Sequence, residues 1–157
     1  MLTAALEAMR ERLRGGIGEV ALVRGMLVLD VEPAVLLRTV GDLKAEHGFD
    51  LLLDITAIDW PGRTPRFDVV YHLYSTRHFL RIRLKVRVPE SDPTVDSLAT
   101  LFGAARFHER ECHDMYGIVF RGNSDLRPIL LYEGFDGHPL RKDYAKQDEQ
   151  PLVRYRR

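Results

Sequence analysis

Phe67, Val69, Tyr71 and Leu73 alternate with Asp68, His72 and Tyr74. After a short break, Leu80, Ile82, Leu84, Val86 and Val88 alternate with Arg81, Arg83, Lys85 and Arg87. A period of two sends one set of side chains into a core and the other to an outer face, so both runs predict strands. Phe49 to Asp59 is almost continuously apolar, the pattern of a strand covered on both faces, and Pro61-Gly62-Arg63-Thr64-Pro65 turns the chain after it. Glu19 to Val23 and Met26 to Val31 read as short strands of a tight hairpin around Arg24-Gly25. Three segments carry helical spacing instead. Leu2, Leu6, Met9 and Leu13 form one stripe, stopped by Gly15-Gly16. Leu36, Leu37, Val40 and Leu43 form the buried face of a second helix, opened by Pro33 and stopped by Gly48. Leu98, Leu101, Phe102, Ala105, Cys112 and Met115 line a third, from near Ser97 to Tyr116, with Gly117 as its C-terminal cap. The predicted class is α+β: a two-layer domain of helices packed on a mixed or antiparallel sheet over 1–117, then an extended tail over 118–157.

That tail has polar turns and apolar clusters but no period. Structureless loops longer than about 12–15 residues are uncommon in compact domains and are usually functional or disordered. Disordered segments are poor in aromatic and branched apolar residues, whereas this one carries Ile129, Leu130, Leu131, Tyr132, Phe135, Leu140 and Tyr144. The composition predicts a segment that buries its anchors on another protein.

Totals narrow the classes. A formal net charge of +0 gives no global attraction to nucleic acid or an acidic membrane. Cys112 is the single cysteine, which excludes an internal disulfide framework and a cysteine cage for zinc or iron–sulfur. No apolar run approaches the ~18–20 residues that span a bilayer. Met1 to Arg14 is amphipathic, but Glu7 and Glu11 read against a transit peptide.

His108-Glu109-Arg110-Glu111-Cys112-His113-Asp114 is the densest polar cluster. The zinc-helix pattern needs two histidines four apart on one face. Here the spacing is five, so the rings diverge by about 140°, and no metal site is expected. Cys112 and His108 share a face, as in a thiolate nucleophile, yet Cys112 also lies on the apolar stripe where a thiol is ordinary packing. Arg81, Arg83, Lys85 and Arg87 with Phe79 resemble the basic, aromatic strand of an RNA-binding sheet, but a single aromatic favours a solvated or partner-covered face. Asp54 reads as a buried hydrogen-bond partner and Asp59 as a turn cap. No phosphate loop and no Ser/His/Asp set stands out, so no catalytic residue is expected. A thiol-dependent protein and an RNA-binding module remain the stand-alone alternatives.

The run Glu109-Arg110-Glu111-Cys112-His113-Asp114-Met115-Tyr116-Gly117-Ile118-Val119-Phe120-Arg121-Gly122 resembles the signature of the respiratory complex I 30 kDa subunit family, the C subunit of NADH–quinone oxidoreductase. Asp125-Leu126-Arg127 and Gly137-His138-Pro139-Leu140-Arg141-Lys142-Asp143-Tyr144 continue the likeness. So do Leu53 to Asp59 and Tyr71 to Ser75 upstream. The chain departs from the usual pattern at Asn123-Ser124, at Pro128 and over 145–151. The equivalent subunit of a membrane-bound hydrogenase, or of a complex using ferredoxin or another donor, therefore stays open.

The resemblance implies a non-catalytic peripheral-arm subunit at the cytoplasmic face of the bacterial inner membrane, touching the membrane only through its complex. It implies no cofactor in this chain; NADH, FMN, iron–sulfur clusters and quinone belong to other subunits. The implied partner is the forty-nine-kilodalton-type D subunit of the quinone module. Interface and tail-docking residues are expected at Glu109, Arg110, Glu111, Asp114, Gly117, Arg127, Leu130, Phe135, His138, Pro139, Leu140, Arg141, Lys142 and Asp143. Glu109, Glu111 and Asp114 are expected to reach Arg127, Arg141 and Lys142 by charge-assisted hydrogen bonds. Ile129, Leu130, Leu131, Phe135 and Leu140 are expected to bury area on the partner. Arg141 is expected to serve assembly and to leave the domain's own stability unchanged.

Overall fold

In the computed structural model, which describes residues 16–145 and 147, a five-stranded mixed sheet carries the core. The hairpin forms where the pattern places it. Strand β1 (Ile17–Val23) pairs antiparallel with β2 (Met26–Val31). Arg24 and Gly25 both take positive φ, as the twist of a two-residue hairpin turn requires. Pro33–Val35 makes a short 3₁₀ turn, and helix α1 (Leu36–Ala45) follows. The meander β3 (Leu51–Asp59), β4 (Phe67–Ser75) and β5 (Leu80–Val88) completes the sheet in the order β1-β2-β5-β4-β3, with β2 and β5 parallel. The alternating residues of β4 and β5 fall on the core side as their period demands. Phe67, Val69, Tyr71, Leu73, Ile82, Leu84, Val86 and Val88 are all buried.

Three expectations change. Strand β3 is an edge strand that alternates, with Leu52, Ile55 and Ala57 buried while Leu51, Leu53 and Ile58 stay exposed. Its apolar run reflects a second face left open, not a second covering layer. On α1, Leu36, Val40 and Leu43 are buried with Thr39, but Leu37 lies about 100° off that stripe and is exposed. The last helix, α2 (Ala105–Tyr116), begins well after Ser97.

The residues before α2 do other work. β6 (Thr94–Asp96) pairs parallel with β7 (Val119–Arg121), and 97–104 form turns that still carry Leu98 and Phe102 into the core. The carboxylate of Glu109 imposes that geometry. It accepts from Ser97 Oγ and from the Leu98 amide, both at 2.7 Å, pinning the segment back onto the helix it precedes. Consecutive turns and a helix share the i, i+3 spacing, so periodicity alone does not separate them.

Gly117 ends α2 in the left-handed region at φ 73, with its amide donating to the His113 carbonyl at 2.8 Å. Ile118 and Phe120 then enter the core, so the extended part of the tail starts after β7. The first predicted helix, Met1 to Arg14, lies outside the described residues. None of the described helices is long and apolar enough to cross a membrane.

Candidate docking surface

After Gly122 the described tail has no helix or strand, so its backbone amides must find other acceptors. Helix α2 supplies the first. Asp114 Oδ2 accepts the amides of Ile129, Leu130 and Leu131 at 2.7, 3.0 and 3.3 Å. Arg110, one turn earlier, holds the carbonyls of Arg127 and Pro128 at 2.9 and 2.8 Å through Nε and Nη2. One helix face thus grips amides with an anion and carbonyls with a cation. Farther on, the Leu140 amide donates to the Met115 carbonyl at 3.1 Å. His138 sits over the helix end with Nδ1 2.9 Å from the Asp114 carbonyl. A carbonyl only accepts, so Nδ1 carries the proton. Gly117 makes this approach possible, because a Cβ there would strike His138 Nε2 and Arg141 Nη2.

The second anchor is an ion cluster at the C-terminal end of β3. Arg66 grips Asp59 at two points, Nε to Oδ1 at 2.7 Å and Nη2 to Oδ2 at 2.8 Å. Its Nη1 reaches Glu90 at 2.5 Å and Asp143 at 2.9 Å. Asp59 Oδ2 also accepts the Lys142 amide at 2.7 Å. Hydrogen bonds from Arg66 hold the Asp59 carboxyl below its ordinary range, and the same guanidinium lowers Asp143. Three carboxylates share this one arginine, which ties the tail to strands far away in sequence.

Several expected site residues stand elsewhere. Glu109 does not reach toward the tail cations. It is buried, bonded to Ser97, Leu98 and Asn123 Nδ2, and burial raises its pKa. Glu111 stays on the exposed side of α2, and among the described residues it pairs with none of the three expected cations. Arg127 pairs with its near neighbour Asp125, at 2.9 Å through both Nε and Nη2. Lys142 contributes its amide rather than its ammonium.

Arg141 donates from Nε to the Tyr116 carbonyl at 2.7 Å and lies over the Phe67 ring, so it supports the fold of this chain itself. Phe135 stacks on Tyr144 and meets Tyr132 edge-on, a cluster inside the tail. Pro139 is half-buried between His138 and Leu140. Leu130 and Leu140 point outward, 61% and 47% exposed, with Ile129 and Tyr132 also exposed. The pinned tail therefore leaves four large apolar side chains exposed.

Asp59 is not a simple turn cap, and sequence reading missed Arg66 altogether. Its partner Asp143 lies 77 residues away, and no local spacing signals such a pair. Asp54, expected to be buried, is half exposed near His72 and His108. His113 Nδ1 donates to the Ile118 carbonyl at 2.8 Å, so the two α2 histidines serve different partners. Among the described residues no group of three or more His, Cys, Asp or Glu is placed to hold a metal. Cys112 is buried, and burial pushes its pKa far up, away from a thiolate. Lys85 and Arg87 pair with Asp30, at 3.2 and 2.5 Å, which removes two cations from the basic strand face.

Residues 29–150 match the family described as respiratory-chain NADH dehydrogenase, 30 Kd subunit. A protein of Methylobacterium sp. (strain 4-46), named as the C subunit of NADH-quinone oxidoreductase, is 47% identical over 148 residues, covering 90% of this chain and 68% of that one. Its namesake in Methylorubrum extorquens (strain PA1) is 45% identical, covering 89% and 66%. Another in Brucella ovis is 47% identical, covering 86% and 67%. The chain thus spans about two thirds of the length of these curated relatives. The trypsin-resistant fragment of Nqo5 superposes with a TM-score of 0.69 at 33% identity, covering 80% of this chain and 98% of the fragment. A chain of the membrane-bound sulfane sulfur reductase, an archaeal respiratory membrane complex, shares the fold at a TM-score of 0.82 and 24% identity, covering 99% and 95%.

Proposed function

Since this chain belongs to the respiratory-chain NADH dehydrogenase 30 kDa subunit family, we propose that it is a non-catalytic peripheral-arm subunit of a proton-translocating NADH–quinone oxidoreductase. It braces the quinone-reducing module and carries no redox group. NADH, FMN, iron–sulfur clusters and quinone are bound by neighbours. Its principal partner is the forty-nine-kilodalton-type subunit of that module. The assembly holds it at the cytoplasmic face of the bacterial inner membrane, which it meets only through other subunits.

One observation carries this reading: Ile129, Leu130, Tyr132 and Leu140 are exposed on a tail already fixed by Asp114, Arg110 and Arg66. Contiguous exposed apolar side chains rimmed by polar groups mark interaction surfaces. Fixing the backbone beforehand removes most of the ordering entropy that binding would otherwise cost. A loose tail would lose that entropy on docking; this one presents its anchors preorganised.

The test is an affinity pull-down of the tagged full chain from native membranes in mild detergent, with mass spectrometry of what accompanies it. The wild type should bring down the forty-nine-kilodalton-type partner with iron–sulfur and membrane-arm proteins. A Leu130→Asp/Leu140→Asp variant should lose them while keeping its melting temperature. Full retention by that variant, or a wild-type chain recovered alone, would refute the proposal. The donor-side subunits recovered identify the electron donor.

A further inference from the structure

Phe79 stands where a phenylalanine is least expected. It is the last residue of the loop joining β4 to β5, its φ is +55, and it is 79% exposed. A bulky residue at positive φ is a genuine outlier, because its Cβ crowds the backbone, and glycine or asparagine ordinarily takes such a place. The loop is held in this shape from several sides. Ser75 accepts the Phe79 amide at 2.9 Å through its carbonyl and the His78 amide at 3.1 Å through its hydroxyl, while Asp50 accepts the Thr76 amide at 2.9 Å. A buried ring would explain the conformation by packing, but this ring projects into solvent. Strain held rigidly around an exposed aromatic group points to a use outside the chain.

The surroundings define the occupant. β2 and β5 run side by side from Leu27 opposite Ile82, which brings the Arg24-Gly25 turn next to the Phe79 loop. Between the two turns lies a groove whose apolar lining is Val23, Met26, Phe79 and Leu80 and whose charged lining is Arg24, Arg81 and Arg83. Among the described residues no carboxylate pairs with these three arginines, whereas Lys85 and Arg87 farther along β5 share Asp30. Arg83 donates from Nε to His72 Nε2 at 2.8 Å, and the groove is thus apolar and cationic without a carboxylate of its own among the described residues. It also lies at the end of β4 opposite Phe67, where Arg141 of the tail rests, eight residue steps or about 26 Å away. Arg141 and the groove therefore sit at opposite ends of β4.

We propose that Phe79 and this groove form a second docking surface, taken by a neighbouring protein subunit through an apolar socket rimmed with carboxylates. The ring is the anchor; Arg24, Arg81 and Arg83 meet the acidic rim and set orientation. The inference rests on the subunit reading above, and it gives the chain a contact in addition to that of its tail.

Two variants of the full chain, Phe79→Gly and Arg81→Glu, test it in cells lacking the native copy. Incorporation into the detergent-solubilised assembly is measured beside the melting temperature of each purified chain. Glycine suits φ +55, so Phe79→Gly should melt at or above the wild type, yet its incorporation should fall by about tenfold. Arg81→Glu should also lower incorporation. Normal incorporation of both variants would overturn the proposal. So would a Phe79→Gly chain that loses stability in step with incorporation, since the ring would then be structural. Binding of the wild-type chain, but not Phe79→Gly, to vesicles containing phosphatidylglycerol would assign the groove to a lipid surface and overturn it equally. Failure of the wild-type chain itself to enter an assembly sinks the subunit reading instead, and this proposal with it.

Discussion

Replacing Arg66 with methionine removes the latch that joins tail to sheet while keeping a side chain of similar length. The loss concentrates on Asp59, whose side chain is wholly buried and held at 2.7 and 2.8 Å. Glu90 and Asp143 also bond Arg66, but their side chains are 56% and 58% exposed, so solvent screening limits each to about 0–1 kcal/mol. Stripping one partner from a buried pair costs about 3–5 kcal/mol, since the remaining charge has no solvent. The Lys142 amide still donates to Asp59 and softens the loss only in part. In urea unfolding of the full chain, a slope of about 2 kcal/mol per molar turns this into a midpoint lowered by roughly 1.5–2.5 M.

Arg66→Met/Asp59→Leu should recover much of that stability, because no buried charge is then unpaired. Its Lys142 amide should nevertheless exchange faster with solvent. Acid dependence carries the same signature. Asp59 and Asp143 have pKa values below the ordinary 3.8, so their contribution is complete above that value and is lost as pH falls through the folded value. The wild type should weaken steeply below pH ~4, and its advantage over Arg66→Met should narrow there. A midpoint shift under about 0.5 M, or a double variant no more stable than the single one, would refute the latch.

Asp114→Ala leaves three tail amides without their acceptor and should cost about 2–4 kcal/mol, with proteolysis beginning near Leu130. Glu109→Gln keeps one acceptor oxygen but turns its NH₂ toward either the Leu98 amide or the Ser97 and Asn123 donors, and should cost about 1–3 kcal/mol in thermal melts. Because burial raises the Glu109 pKa above 4.5, that deficit should be largest in acid and shrink as pH rises through the folded value. Gly117→Ala should cost about 1–2 kcal/mol from its φ alone, and more from displacing His138, visible as a shifted imidazole resonance. Cys112 should resist thiol reagents in the folded chain and react once urea unfolds it.

The residues that tie the tail down divide cleanly by how they announce themselves. Asp114 and Arg110 sit in a dense polar helix segment, and the signature around them points to docking. Their targets do not follow from that segment. Charge matching paired Asp114 with distant cations, whereas the acceptor it needed to be was for backbone amides of a loop with no ladder of its own. Glu109 shows the same limit in reverse: two residues from an exposed glutamate, it turns inward because Ser97, Leu98 and Asn123 supply enough donors to bury a carboxylate.

Periodicity by itself determined the α+β class, the hairpin, the two alternating strands and the glycine that ends α2. Each is encoded within a few neighbouring residues, through the pleat, the helical turn or a left-handed φ. The family signature is likewise contiguous. Tertiary structure alone decided that β2 and β5 lie parallel, that β3 is an edge, and that Arg66 gathers Asp59, Glu90 and Asp143. Those facts depend on which distant segments share space once the core closes. A side chain's partners across 77 residues are set by that closure and leave no trace in the local pattern.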